Sequence, residues 1–298
     1  MRDEDAIELP EDDFRRARRY LAPWVFALPG GEEGKIYPPP WDLIDREHWN
    51  NVMDLPTDVA LKSSSYEGSQ ISRLDQLHSD WIFSWPDVGD APFMDEAVLL
   101  AGEEFDALVF SALHGWYRQA IGCLRNAFET LMIAAALAAT NNKKSFEQWR
   151  AGAMEYGFGT ARVLLKDSML GKQVDVDANP ESVFGDLGTS WTKDRYARLC
   201  SYTHSHAGYN NADFWESTGP VFRPAALAVV EAEFRETLAL CYLLVRLAWP
   251  TYRSGPGQPA LLDASQGAWM RFDGLLRKWL LPDHPHLPDS DGDSHNTS

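Results

Sequence analysis

The stretch "EAVLLAGEEFDALVFSALHGWYRQAIGCLRNAFETLMIAAALAAT", residues 96–140, decides the fold class. Phe105, Val109, Ala112, Trp116, Ala120, Cys123, Ala127 and Leu131 recur at steps of three and four, the period of an α-helix. The span is read as one long helix or two stacked ones. One polar seam crosses this apolar surface. At ~100° per residue His114, Arg118, Arg125 and Glu129 fall within roughly 60° of each other, with Gly122 beside them. Ile121 and Met132 flank the seam, so its charges are expected to be buried and paired. Glu129, four residues from Arg125, is the natural partner. Two readings stay open: a structural ion pair that fixes helix register, or the support of a functional pocket. If the pair is buried, Glu129→Ala should cost about 3–5 kcal/mol.

Outward from that stretch the chain continues as helix. Ser145 with Gln148 reads as a capping box, opening a helix that runs to Leu170 and stops at Gly171, with the glycines of "YGFGT" free to bend it. Residues 171–190 read as a loop, and residues 192–205 as a shorter helix that breaks at Gly208. Pro224 opens a helix that continues to Pro250. A last helix, residues 261–280, gathers Trp269, Phe272, Leu276 and Trp279 on one face. No alternating strand pattern and no internal repeat is found. The expected fold class is all-α: a helical domain over 96–282, an irregular, acidic N-terminal arm over 1–95 packed on it, and a disordered tail over 283–298. Within the arm, residues 11–21, 41–53 and 72–85 read as short helices and residues 27–40 as a turn-rich connector.

Composition narrows the function classes. The net charge of -17 is unevenly spread: the first hundred residues hold 9 Lys+Arg against 21 Asp+Glu, and the last sixteen hold none against 4. The helical body is near neutral, and no extended basic face appears, which argues against extended DNA binding. The acidic N-terminus lacks an apolar leader, and the longest apolar run, residues 131–139, falls short of the ~20 residues a membrane span needs. Cys123, Cys200 and Cys241 form no CxxC pair. A cytoplasmic protein without membrane contact and without a cofactor is the expectation. "DSDGD" at 289–293 resembles the start of a calcium loop, but no bidentate Glu follows.

The densest chemistry lies in "RLCSYTHSHAGYNN", residues 198–211. His204 and His206 form a His-x-His pair, which chelates a metal best on a strand; none is expected here, so no metal site is assigned. No G-x-S-x-G elbow accompanies Ser201 or Ser205. Arg198 and His204 lie six residues apart, about 240° on a helix, and converge only if the helix ends near Tyr202 or a second subunit supplies a partner. Polar capping of a helix end is the plain alternative.

The pair of segments "RQAIGCLRNAFE" and "RYARLCSYTH" resembles the HEPN superfamily of α-helical domains, over residues 95–250. Many of its members are ribonucleases of toxin–antitoxin and antiviral defence systems, marked by Arg, four to six residues, then His. Arg198 and His204 match that pair with five residues between, and Arg125 and Glu129, with Arg118, match the supporting helix. Family nucleases usually carry a polar residue directly after the arginine; here it is Leu199. The resemblance implies a HEPN-like helical bundle and a metal-independent endoribonuclease. His204 would act as general base or acid and Arg198 would stabilise the phosphorane-like transition state, while Tyr202, His206, Tyr209, Asn210 and Asn211 hold a single-stranded RNA. It also implies a homodimer, for which "CYLLVRLAW" (241–249) or the tryptophan face of the last helix offers the interface. The competing function is a catalytically silent helical module of the same fold, acting through dimerisation or partner binding.

Overall fold

In the computed structural model, the described residues are 54–85, 94–185, 190–203, 220–249 and 272–280, with the backbone of 7–8 and 35–36. They form two short strands and nine helices: β1 Ile7–Glu8, β2 Lys35–Ile36, α1 Leu55–Phe83, α2 Asp95–Leu113, α3 Tyr117–Ala139, α4 Lys143–Arg150, α5 Phe158–Asp167, α6 Met169–Asp177, α7 Trp191–Thr203, α8 Pro224–Ala248 and α9 Asp273–Leu280. Helix dominates, as the periodicity requires. The strands form one antiparallel pair, Ile7 opposite Ile36, and a single bridge joins Ser182 to Ser190. No pattern of alternating residues announces either. The expected helices over 11–21 and 41–53 and the tail 283–298 with its "DSDGD" lie outside the described residues, as do 261–271 of the expected last helix.

Residues 96–140 make two stacked helices. The break is at Gly115, whose φ of 77° is open to glycine at no cost. A Cβ there would sit 2.3 Å from the Val221 carbonyl oxygen, so the corner also needs the missing side chain. Through that corner α2 folds back along α3, and the segment entering α8 crosses it, with the Arg223 amide donating to the Tyr117 hydroxyl at 3.0 Å. The break takes His114 off the α3 seam. It caps α2, with Nδ1 2.7 Å from the Phe110 carbonyl and its ring 4.1 Å from that of Phe110.

α3 is the central element. Leu124, Ala127, Phe128 and Leu131 are fully buried, and α2, α4, α5, α7 and α8 all pack on it. α3 is long and apolar enough to cross a membrane (mean hydropathy 1.3), and 67% of that apolar window is buried among the other helices. α1 joins the same core. Leu74 and Trp81 are fully buried, and the Trp81 indole donates to the Val98 carbonyl at 3.1 Å. Residues 55–83, expected as part of an arm with helix only from 72, thus form a long helix, kinked at Glu67, with a core face.

The region 143–177 departs from expectation. Asn142, not Ser145, caps α4, accepting from the Ser145 amide at 3.1 Å. Ser145 lies inside the helix because the asparagine carbonyl reaches the amide donor first. The chain then leaves helix before Phe158 and again at Ser168, which caps α6 through the Gly171 amide at 3.0 Å. Gly171 is no helix stop. It permits the tight α5–α6 corner, where a Cβ would lie 1.9 Å from the Leu165 carbonyl oxygen. The expected loop 171–190 therefore begins as helix. It then turns over Asp175, whose Oδ1 accepts from the Ser182 hydroxyl at 3.0 Å and from the amides of Val183 at 2.7 Å and Phe184 at 3.0 Å.

Candidate functional site

α7 carries two polar stripes at helical spacing, and they face different neighbours. Trp191, Arg195, Arg198 and Tyr202 form one, at steps of four, three and four; Tyr196, Cys200 and Thr203 form the other. At ~100° per residue the stripes are roughly 140° apart. Leu199 falls between them and is fully buried. This is the physical reason for a leucine after Arg198: the position points into the core.

The first stripe meets α8. There the sequence "VVEAEFRETLAL" brings carboxylates into an apolar helix, and buried charges need partners. Glu233 takes one arginine on each oxygen: Nε of Arg198 on Oε1 and Nη1 of Arg195 on Oε2. The second Nη of Arg195 goes to Glu236 Oε2, and the Trp191 indole donates to Glu236 Oε1 at 3.0 Å. The side chains of Arg195 and Glu233 are 6% and 2% exposed, whereas that of Arg198 is 58% exposed. Burial pulls the Arg195 guanidinium below its ordinary value against the pull of Glu233. Burial acts on Arg198 the same way, but the charge and hydrogen bond of Glu233 outweigh it and raise its pKa. Burial also pushes the Tyr202 hydroxyl up, so it stays protonated one turn beyond Arg198. Two arginines and two glutamates balance in charge.

The second stripe meets the α3 seam, whose members Arg118, Gly122, Arg125 and Glu129 share one face at steps of four, three and four. Arg125 donates to Glu129 Oε2 at 3.2 Å and to the Tyr196 hydroxyl at 2.8 Å, and that hydroxyl donates to Glu129 at 3.0 Å. The Tyr196 ring lies flat on Phe158, centroids 3.9 Å apart. Burial and the nearby Glu129 push the Tyr196 hydroxyl up to about 12, against the hydrogen bond from Arg125. Arg118 donates to the Thr203 carbonyl at 2.7 Å, tying down the last described turn of α7. A Cβ at Gly122 would just touch the Thr203 methyl, at 3.9 Å. The seam is half-buried, with side chains 27% and 26% exposed for Arg125 and Glu129.

The structure therefore joins Arg125 to Glu129 as expected. On α7 they meet Tyr196, and Arg125 also meets Cys200, both on a different flank from Arg198. His204, His206, Tyr209, Asn210 and Asn211 lie outside the described residues. The α8 carboxylates and Arg195 were not singled out from sequence, although acids inside an apolar helix are themselves a signal. Among the described residues, both segments expected to form a dimer interface are largely used within the protomer. Cys241, Tyr242, Leu243, Leu244 and Val245 are fully buried, as is Leu276, and the Trp279 indole donates to Asp177 at 3.0 Å. A surface depression of about 420 Å³ between α4 and α5, lined by Trp149, Met154 and Tyr156 among others, includes none of the expected site residues. Comparison with protein-family models, with curated proteins and with solved structures finds no match to this chain.

Proposed function

We propose that the chain is a HEPN-like, metal-independent endoribonuclease, a toxin or antiviral defence effector in the cytoplasm, cutting single-stranded RNA at the C-terminal half of α7. One observation supports this above the others: Arg198 keeps more than half of its side chain in solvent while its Nε is gripped by the deeply buried Glu233. A guanidinium held from behind is suited to meet a phosphate, because its planar fork matches the phosphate oxygens and needs no reorganisation as charge develops. In this reading His204 moves the proton of the ribose 2′-hydroxyl or of the leaving 5′-oxygen, for which an ordinary imidazole pKa of about 6.5 is suitable. Thr203, to which His204 is bonded, is the residue whose carbonyl Arg118 holds. A homodimer belongs to the same reading, through a surface other than residues 241–249.

The test is cleavage of single-stranded RNA by purified protein in EDTA. Products should end in 2′,3′-cyclic phosphates, and Arg198→Ala and His204→Ala should abolish cutting while the helical circular dichroism persists. Intact RNA at every protein concentration would refute the reading, and cleavage that stops on adding chelator would point to a metal site instead. A second reading, a catalytically silent module of the same fold, is favoured by the burial of Leu199 and by the balanced charge of the α7–α8 cluster. It expects no cleavage, and unchanged growth of a bacterial host expressing either the wild type or His204→Ala.

A further inference from the structure

Glu233 spends one oxygen on a buried arginine and the other on an exposed one, and the two tasks differ. Arg195 would hold a carboxylate in the core for reasons of stability alone, since its Nη1 and Nη2 bridge Glu233 and Glu236. Arg198 needs no such help: an arginine with a 58% exposed side chain is well solvated in water. What the contact changes is the freedom of Arg198. A free arginine at a helix surface samples many rotamers. One bound through Nε to a carboxylate that is itself clamped by Arg195 has its guanidinium plane fixed. Glu236 takes the other Nη of Arg195 and the Trp191 indole, so it belongs to the core side of the cluster.

We propose that Glu233 is a positioning residue for Arg198, orienting the guanidinium toward an RNA phosphodiester. The proposal rests on the endoribonuclease reading. Glu236 supplies the internal control, because it belongs to the same buried cluster and its two oxygens are taken by Arg195 and the Trp191 indole. A carboxylate that only stabilises the fold would behave like Glu236; one that positions Arg198 would not.

The experiment uses the full chain and a fluorescein-labelled single-stranded oligoribonucleotide of mixed sequence, in EDTA, reading kcat, KM and the melting temperature for wild type, Glu233→Gln, Glu236→Gln and Arg198→Lys. Glu233→Gln should lower kcat on the order of a hundredfold with KM little changed, the cost of a misplaced reacting group. Glu236→Gln should lower the melting temperature comparably and leave kcat within about twofold, inside the scatter of context-dependent effects. Arg198→Lys keeps the charge but loses the planar fork, so it should lose kcat as Glu233→Gln does, with the melting temperature near that of the wild type. Independently of turnover, the Arg198 Nε–H resonance, assigned by its disappearance in Arg198→Lys, should be sharp in the wild type and in Glu236→Gln and broadened by solvent exchange in Glu233→Gln. Equal kcat losses in the two glutamine variants, or a sharp Nε–H signal in Glu233→Gln, would overturn the positioning role while leaving the nuclease reading intact. If Glu233→Gln does not fold, full kcat in Arg198→Lys overturns it as well. No cleavage by the wild type removes both.

Discussion

The flank of α7 that meets α8 and the flank that meets α3 carry the same kinds of side chain in different surroundings. Toward α8, Arg195 and Glu233 are almost wholly dry and every carboxylate oxygen of Glu233 and Glu236 has a donor. Toward α3, Arg125 and Glu129 keep about a quarter of their side chains in water and share one tyrosine hydroxyl. The lesson is about leverage. Removing one partner from a dry pair strands the other charge where water cannot reach it, whereas a half-exposed partner is resolvated. The two flanks should therefore respond very differently to comparable substitutions.

The largest effect should come from Glu233→Ala, which leaves Arg195 short of one carboxylate in the core and should cost about 3–5 kcal/mol in urea denaturation. A loss below that of any α3-seam variant would break the comparison. Next is Trp191→Phe, which keeps an aromatic ring near Phe272 but takes away the indole donor to Glu236. An unsatisfied buried carboxylate oxygen should cost about 1–3 kcal/mol, measured the same way. Glu129→Ala, in the half-exposed seam, should cost only about 1 kcal/mol. This is less than the 3–5 kcal/mol expected for a buried pair, because water reaches the remaining arginine. A cost as large as that of Glu233→Ala would show the seam to be as dry as the other flank.

The smallest and most specific effect concerns Tyr196. Its hydroxyl titrates at about 12 in the fold against about 10 in an unfolded chain, so the folded state favours the protonated form. The unfolded chain then binds fewer protons at alkaline pH, and stability falls as pH rises from about 10 to 12 while being fully present below that window. Tyr117 and Tyr202 shift in the same direction, so Tyr196→Phe should flatten the alkaline decline of the melting temperature in part, without abolishing it. An unchanged alkaline profile would mean that Tyr196 is not held by the seam.

How much of this was readable beforehand differs by feature. The repeat at three and four residues through 96–140 required helix, and the steps of seven and four from Arg118 through Arg125 to Glu129 placed them on one face whatever they packed against. The break at Gly115 was not readable, because its reason is a second segment, Val221, passing within a Cβ's radius. The capping error at Ser145 has a local cause: Asn142 offers an equally short carbonyl three residues earlier. Which flank of α7 meets Arg125 was not readable, because wheel geometry orders residues around one helix and says nothing of which neighbour each face meets.

By itself, then, the sequence determined that the chain is predominantly helical, that α8 begins at Pro224, and that Arg125 pairs with Glu129, since these follow from backbone sterics and from spacing within a single helix. Only the tertiary structure decided that α7 is wedged between α3 and α8 with Leu199 as its inward edge, that Tyr196 rather than Arg198 closes the α3 seam, and that Glu233 holds Arg195 and Arg198 together. Those contacts join residues 35 to 85 positions apart, and their formation depends on how whole apolar faces pack, a quantity no local period encodes.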